Sequence, residues 1–100
     1  MMIARKFIVS GIVQGVGFRY FAQRSAARHQ VTGYVKNLDD GSVETFVQGR
    51  EKQVLDYRDD IVAGPRSSVV ETIEETVLEP DKAFRLFVSS VDRRNGLILK

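Results

Sequence analysis

The chain has 100 residues, 43% hydrophobic and 28% charged, which suits one compact domain with a buried core and excludes a disordered chain. Lysine and arginine (15) nearly balance aspartate and glutamate (13), so a net charge of +2 points away from a polycation that grips nucleic acid. Without cysteine there is no disulfide, no thiolate metal site and no cysteine nucleophile.

The start, Met1-Met2-Ile3-Ala4-Arg5-Lys6, becomes charged before a signal-peptide apolar region can form, and no apolar run reaches membrane-spanning length. A cytoplasmic protein is therefore expected. Phe7-Ile8-Val9 opens a β-branched strand that ends at Gly11 or Val13. From Phe18 the period changes: Phe18, Phe21, Ala22, Ser25 and Ala26 share one face of a helix that fades around His29-Gln30. Val31 to Lys36 reads as a second strand. Asn37-Leu38-Asp39-Asp40-Gly41 is turn chemistry, and Val43, Thr45 and Val47 alternate with Glu44, Phe46 and Gln48 in a third strand, so the two strands make a hairpin.

Gly49 closes the third strand, and Glu51 to Ala63 forms a second helix, with Val54, Tyr57, Ile61 and Val62 on its buried side and Gly64-Pro65 stopping it. Val69 to Leu78 is extended and carries Glu71, Glu74 and Glu75, as an edge strand protected by charge does. Phe84 to Val88 is a short last strand. The tail from Ser89 is polar until Leu97-Ile98-Leu99. The order β-α-β-β-α-β predicts an α+β, ferredoxin-like sandwich: an antiparallel sheet of four to five strands with two helices on one face.

Between the first strand and the first helix lies Gly11-Ile12-Val13-Gln14-Gly15-Val16-Gly17-Phe18-Arg19. Glycines let a ligand approach peptide N–H groups, a helix start adds unpaired donors, and Arg19 adds a planar charged fork that matches phosphate oxygens. The segment reads as an anion cradle. Its spacing, G-x-x-x-G-x-G, fits neither the dinucleotide fingerprint nor the nucleoside-triphosphate loop. Taken alone, Arg19 also fits a solvated or ion-paired helix residue, and Asn37 a simple turn former. The topology allows both to lie at one end of the sheet.

Other candidates carry less. His29 has no histidine or cysteine partner, so a helix-end or surface role is expected for it rather than metal binding. Asp39-Asp40, Asp59-Asp60 and Glu74-Glu75 read as turn, helix-surface and edge-strand charge. Ser67-Ser68 lacks a serine-hydrolase context.

Gly11 to Arg19 resembles the first signature of the acylphosphatases, G-x-V-Q-G-V-x-F-R. Gly33-Tyr34-Val35-Lys36-Asn37-Leu38-Asp39-Asp40-Gly41-Ser42-Val43, continued to Gly49, resembles their second, G-[aromatic]-V-[basic]-N-x-x-x-G-x-V-x-x-x-x-x-G. The similarity covers about residues 5 to 88, leaving 89–100 as an extension of a single domain. It implies the ferredoxin-like fold and hydrolysis of acyl phosphates to a carboxylate and inorganic phosphate, with no cofactor and no metal. It also implies that backbone N–H groups of Gly11, Ile12, Val13, Gln14, Gly15 and Val16 bind the phosphate with Arg19, and that Asn37 positions the attacking water. The expected partner is a small-molecule acyl phosphate, with phosphate or sulfate as a competing anion. Nucleic acid and membrane are not expected partners, and a monomer is expected.

Three departures stand out. Gln30 occupies the place of a helix-ending glycine, Ser67-Ser68 replace small apolar residues, and 89–100 extends past the last strand. Two other readings compete. One is a non-catalytic module, as at the N-terminus of larger hydrogenase-maturation proteins, against which the length of this chain and its retention of Arg19 and Asn37 both argue. The other is an RNA-binding domain of the same element order, which would need aromatics on its central strands where the third strand has only Phe46.

Overall fold

The computed structural model describes residues 1–89, so of the 89–100 extension only Ser89 falls among the described residues, and Leu97-Ile98-Leu99 lie outside them. The elements are β1 (Met2–Ile12), α1 (Phe18–His29), β2 (Thr32–Asn37), β3 (Val43–Arg50), α2 (Glu51–Ala63), β4 (Val69–Leu78) and β5 (Phe87–Ser89). The strands form one sheet in the order β4-β1-β3-β2-β5.

Residues at one strand parity, Phe7 and Val9 of β1, Val35 of β2, and Val43 and Val47 of β3, bury against Phe18, Ala22 and Ala26 of α1 and Val54, Tyr57 and Ile61 of α2. This is the period of two meeting the period of 3.6, and it puts the core between the sheet and the helices. Val62 falls off that face and is 48% exposed, contrary to expectation, because it sits a further 100° round the helix from Ile61.

The sheet is mixed rather than purely antiparallel: β2 and β5 run parallel, Gly33 opposite Phe87. The last strand also begins at Phe87, not Phe84. Both differences have one cause. After β4 the chain crosses the sheet's other face and reverses, which leaves β5 antiparallel to β4 and so parallel to β2. Gln48 fastens that crossing, with Nε2 donating to the carbonyls of Asp81 (2.8 Å) and Phe84 (3.1 Å) and Oε1 accepting the Asp81 N–H (2.6 Å). Phe84 then packs on Tyr34 and Phe46, its centroid 5.5 and 5.4 Å from theirs. Phe46, which alternates with Val43, Thr45 and Val47 and so faces away from the helices, is only 5% exposed for this reason.

β1 starts five residues before Phe7, pairing Met2 with Arg50 of β3 and Ala4 with Leu78 of β4. The charges of its first half are compatible with a central strand because Arg5 reaches Glu75 at 3.3 Å, and Glu75 also meets Arg58 of α2 at 3.0 Å.

Inside the core, the Thr45 hydroxyl donates to the Tyr34 carbonyl at 2.8 Å, which leaves Tyr57 to donate its hydroxyl proton to Thr45 Oγ1 at 2.7 Å. Burial pushes the Tyr57 phenol far above its ordinary range, so that proton stays in place at any working pH. The two ends of this pair are unequal. Tyr57→Phe leaves Thr45 its carbonyl acceptor and should cost about 1 kcal/mol, whereas Thr45→Val strands a buried phenol and should cost about 1–3 kcal/mol. Urea unfolding midpoints of the two variants should fall in that order.

α1 ends as expected around His29-Gln30, and Gln30 is left-handed at φ 57°. Val31 N–H bonds Ala26 O (3.1 Å) and Gln30 N–H bonds Ala27 O (3.3 Å), the paired closure of a helix that glycine usually makes. A side chain held left-handed costs about 1–2 kcal/mol, and glycine's extra unfolded-state freedom returns about 0.5–1 of it. Gln30→Gly should therefore raise stability by about 0.5–1 kcal/mol, read as a higher melting temperature, despite losing a long exposed contact to Gln53 (3.3 Å).

Candidate active site

The loop from β1 to α1 is pegged at both ends. Val13, at 1% exposure, and Phe18, at 2%, are core residues, and the stretch between them leads from the end of an inner strand to the first helix. Gly15 (φ 74°) and Gly17 (φ 80°) are left-handed, and a Cβ at either would meet nothing within 4 Å. Their glycine identity thus serves the backbone path, while the space beside them stays open. Gly17 is also the N-cap of α1, with no capping side chain and no acidic residue in the first turn. The first turn therefore brings no carboxylate of its own to its positive end, and Arg19 is the second residue of that turn.

Gly11 and Ile12 sit differently. They are the last residues of β1, opposite Val70 and Val69 of β4 after a register shift at Ser10/Gly11. A Cβ on Gly11 would lie 2.1 Å from the Val69 carbonyl, so glycine there serves the close approach of two strands. Beyond the strand, Gly15 and Gly17 are exposed, Gln14 and Val16 half-buried and Val13 buried.

Asn37 ends β2 opposite Val43, at the same parity as Val35, and so stands on the helix-bearing face. The turn after it is closed by Leu38 N–H to Ser42 O (2.8 Å) and Gly41 N–H to Leu38 O (3.2 Å). Asp40 Oδ1 takes the Ser42 hydroxyl (2.6 Å) and backbone N–H (3.0 Å), and the side-chain bond foremost holds the Asp40 carboxyl below the usual carboxylate range. The stabilisation this carboxylate gives the turn is present above its unfolded value and fades as pH falls through the lowered one.

One side chain joins the two halves. Gln14 Nε2 donates to Leu38 O and to Ser42 O, both at 2.8 Å, linking the loop to the turn that follows Asn37. From the other side Ser67 Oγ reaches Val16 O at 3.3 Å, which gives one of the two unusual serines a contact with the loop. Gln14 was foreseen only as a source of a backbone N–H. The signal for more was a lone uncharged polar side chain in a loop of small and apolar residues.

A model of the acylphosphatase family matches residues 5–89. The chain belongs to the acylphosphatase family. It is 50% identical over 82 residues to an acylphosphatase of Geobacillus thermodenitrificans, covering 79% of this chain and 87% of that one. The crystal structure of the Bacillus subtilis acylphosphatase superposes with a TM-score of 0.85 at 35% identity, covering 91% of this chain and all (100%) of that one. The T.kodakarensis HypF structure superposes with a TM-score of 0.78 at 37% identity, over 90% of this chain but only 12% of HypF. Acylphosphatase activity, hydrolysis of the acyl phosphate bond, goes with this membership, and a small-molecule acyl phosphate is its substrate.

The remaining polar clusters of this acylphosphatase-family chain lie elsewhere. Asp60 Oδ2 takes Ser25 Oγ (2.6 Å), Arg28 (3.0 Å) and His29 Nε2 (3.1 Å), tying α1 to α2 at the end of α1 away from the loop. Asp60 is thus a helix-to-helix anchor rather than plain surface charge, and His29 has its helix-end role. Among the described residues no three His, Asp or Glu side chains gather as a metal-binding group, and no helix is long and apolar enough to cross a membrane.

Proposed function

We propose that the loop N–H groups from Val13 onward and Arg19 hold the phosphate of an acyl phosphate while Asn37 orients the attacking water. The observation that carries this reading is the Gln14 bridge, which sets the loop beside the turn that begins at Asn37. Water attacks phosphorus, the phosphorus–oxygen bond to the acyl group breaks, and the water's proton passes to a phosphate oxygen. The leaving carboxylate has a conjugate acid of pKa about 4, so it departs without a strong general acid. What remains is positioning and stabilisation of charge on the phosphoryl oxygens, which amides and a guanidinium supply. Asn37 directs water through its side-chain oxygen without acting as a strong base.

Release of benzoate from benzoyl phosphate in excess chelator tests this directly. Turnover inhibited competitively by phosphate or sulfate is expected. Well-folded protein that releases nothing, or needs an added metal ion, overturns the corresponding part. Recognition of RNA finds no support on the sheet's other face, where Tyr34 stacks on Phe46 (5.8 Å) beneath Phe84.

A further inference from the structure

We infer that Gln14 is a positioning residue whose side-chain amide, bonded to the Leu38 and Ser42 carbonyls, fixes Asn37 relative to a phosphate held in the loop. This rests on the roles proposed above for the loop and Asn37.

The two acceptors are the carbonyls that close the turn itself. Leu38 O already takes the Gly41 N–H, and Ser42 O the Leu38 N–H, so each has one lone pair left for Gln14. One nitrogen with two protons meets both. The bridge spans 24 and 28 residues of sequence and forms only when the turn is closed. Ser42 is buried, so its carbonyl has little access to solvent that could replace the donor. Few other side chains could do this. Glutamate has the length but no donor and brings a negative charge to an anion site, asparagine is one methylene short, and leucine fills similar space with no bond to make. The N–H that Gln14 lends to the loop is backbone and survives any of these changes, so side-chain and phosphate-binding roles can be separated.

Water placed about 1 Å off line costs on the order of a hundredfold in rate. Gln14→Leu should accordingly lower kcat by roughly ten- to a hundredfold while the inhibition constant for inorganic phosphate moves by less than about threefold. A merely structural role would predict something else on an Asn37→Ala background. If Gln14 acts through Asn37, Gln14→Leu produces no further loss of kcat there. An equal loss on both backgrounds, or loss of phosphate competition, overturns the inference and leaves the roles of Arg19 and Asn37 standing. If Asn37→Ala alone keeps full kcat, the reading of Asn37 falls and the positioning role with it. Should Gln14→Leu not fold, side-chain amide exchange in the unmodified protein decides: protected Gln14 protons support the bridge, and protons exchanging as in free glutamine refute it.

Discussion

Arg19→Ala should abolish competition by inorganic phosphate and lower kcat/KM for benzoyl phosphate by about a thousandfold. The size follows from the kinds of group that the loop and the first turn supply. The open loop offers neutral N–H dipoles and α1 adds the partial charge of an uncapped start, but Arg19 is the one formal cation of the first turn. A phosphoryl group that carries two negative charges toward a carboxylate leaving group needs that cation throughout, so both ground-state binding and the barrier should suffer. Arg19→Lys separates charge from shape. Lysine restores the charge as a point and loses the planar fork, so it should recover phosphate binding more than turnover. Steady-state kinetics with phosphate as inhibitor measures both, and circular dichroism confirms the fold. Unchanged phosphate competition in the alanine variant would place the anion elsewhere.

The parts of this fold that were legible in the sequence are those written locally. α2 runs over the expected Glu51–Ala63 because Gly64-Pro65 stops it and its apolar residues recur with helical spacing. The loop was legible for the same reason, since its glycines and arginine lie within nine consecutive residues. What escaped depends on contacts between distant segments. Arg5 and Lys6 hid the first half of β1, whose charge is answered by Glu75, seventy residues from Arg5 along the chain. The parallel pairing of β5 depends on Gln48 and Phe84 guiding the chain across the sheet, which no periodicity encodes. The site divides in the same way. On one side, Gly11 and Ile12 finish the first strand within the expected end at Gly11 or Val13, and β4 pairs with both. The bridge from Gln14 to the hairpin could be seen only once both ends were in place. Gln30 shows local preference losing to tertiary demand: the turn into β2 requires a left-handed residue, and the helix supplies one without glycine.

Asn37→Ala should lower kcat about a hundredfold and leave phosphate inhibition nearly unchanged, the reverse of the balance expected at Arg19. Asn37 lies at the end of β2 and its turn is closed by backbone bonds and by Asp40, so removing the side chain leaves the hairpin its shape. What disappears is an uncharged oxygen that can accept from water and an amide that can donate. Asn37→Asp is the sharper comparison. It keeps the size and the acceptor, and as a carboxylate it is a better base than the amide. If proton removal limited the reaction, this variant would be at least as fast as the original. If Asn37 only orients water, the added negative charge faces a phosphate of the same sign, and both kcat and phosphate affinity should fall below those of Asn37→Ala. The defect should then ease as pH drops and the new carboxyl protonates, since the neutral acid repels the anion no longer. A rate profile over pH for the two variants therefore distinguishes orientation from general-base chemistry. Higher activity in Asn37→Asp than in Asn37→Ala at neutral pH would assign the proton to residue 37 instead of to the substrate.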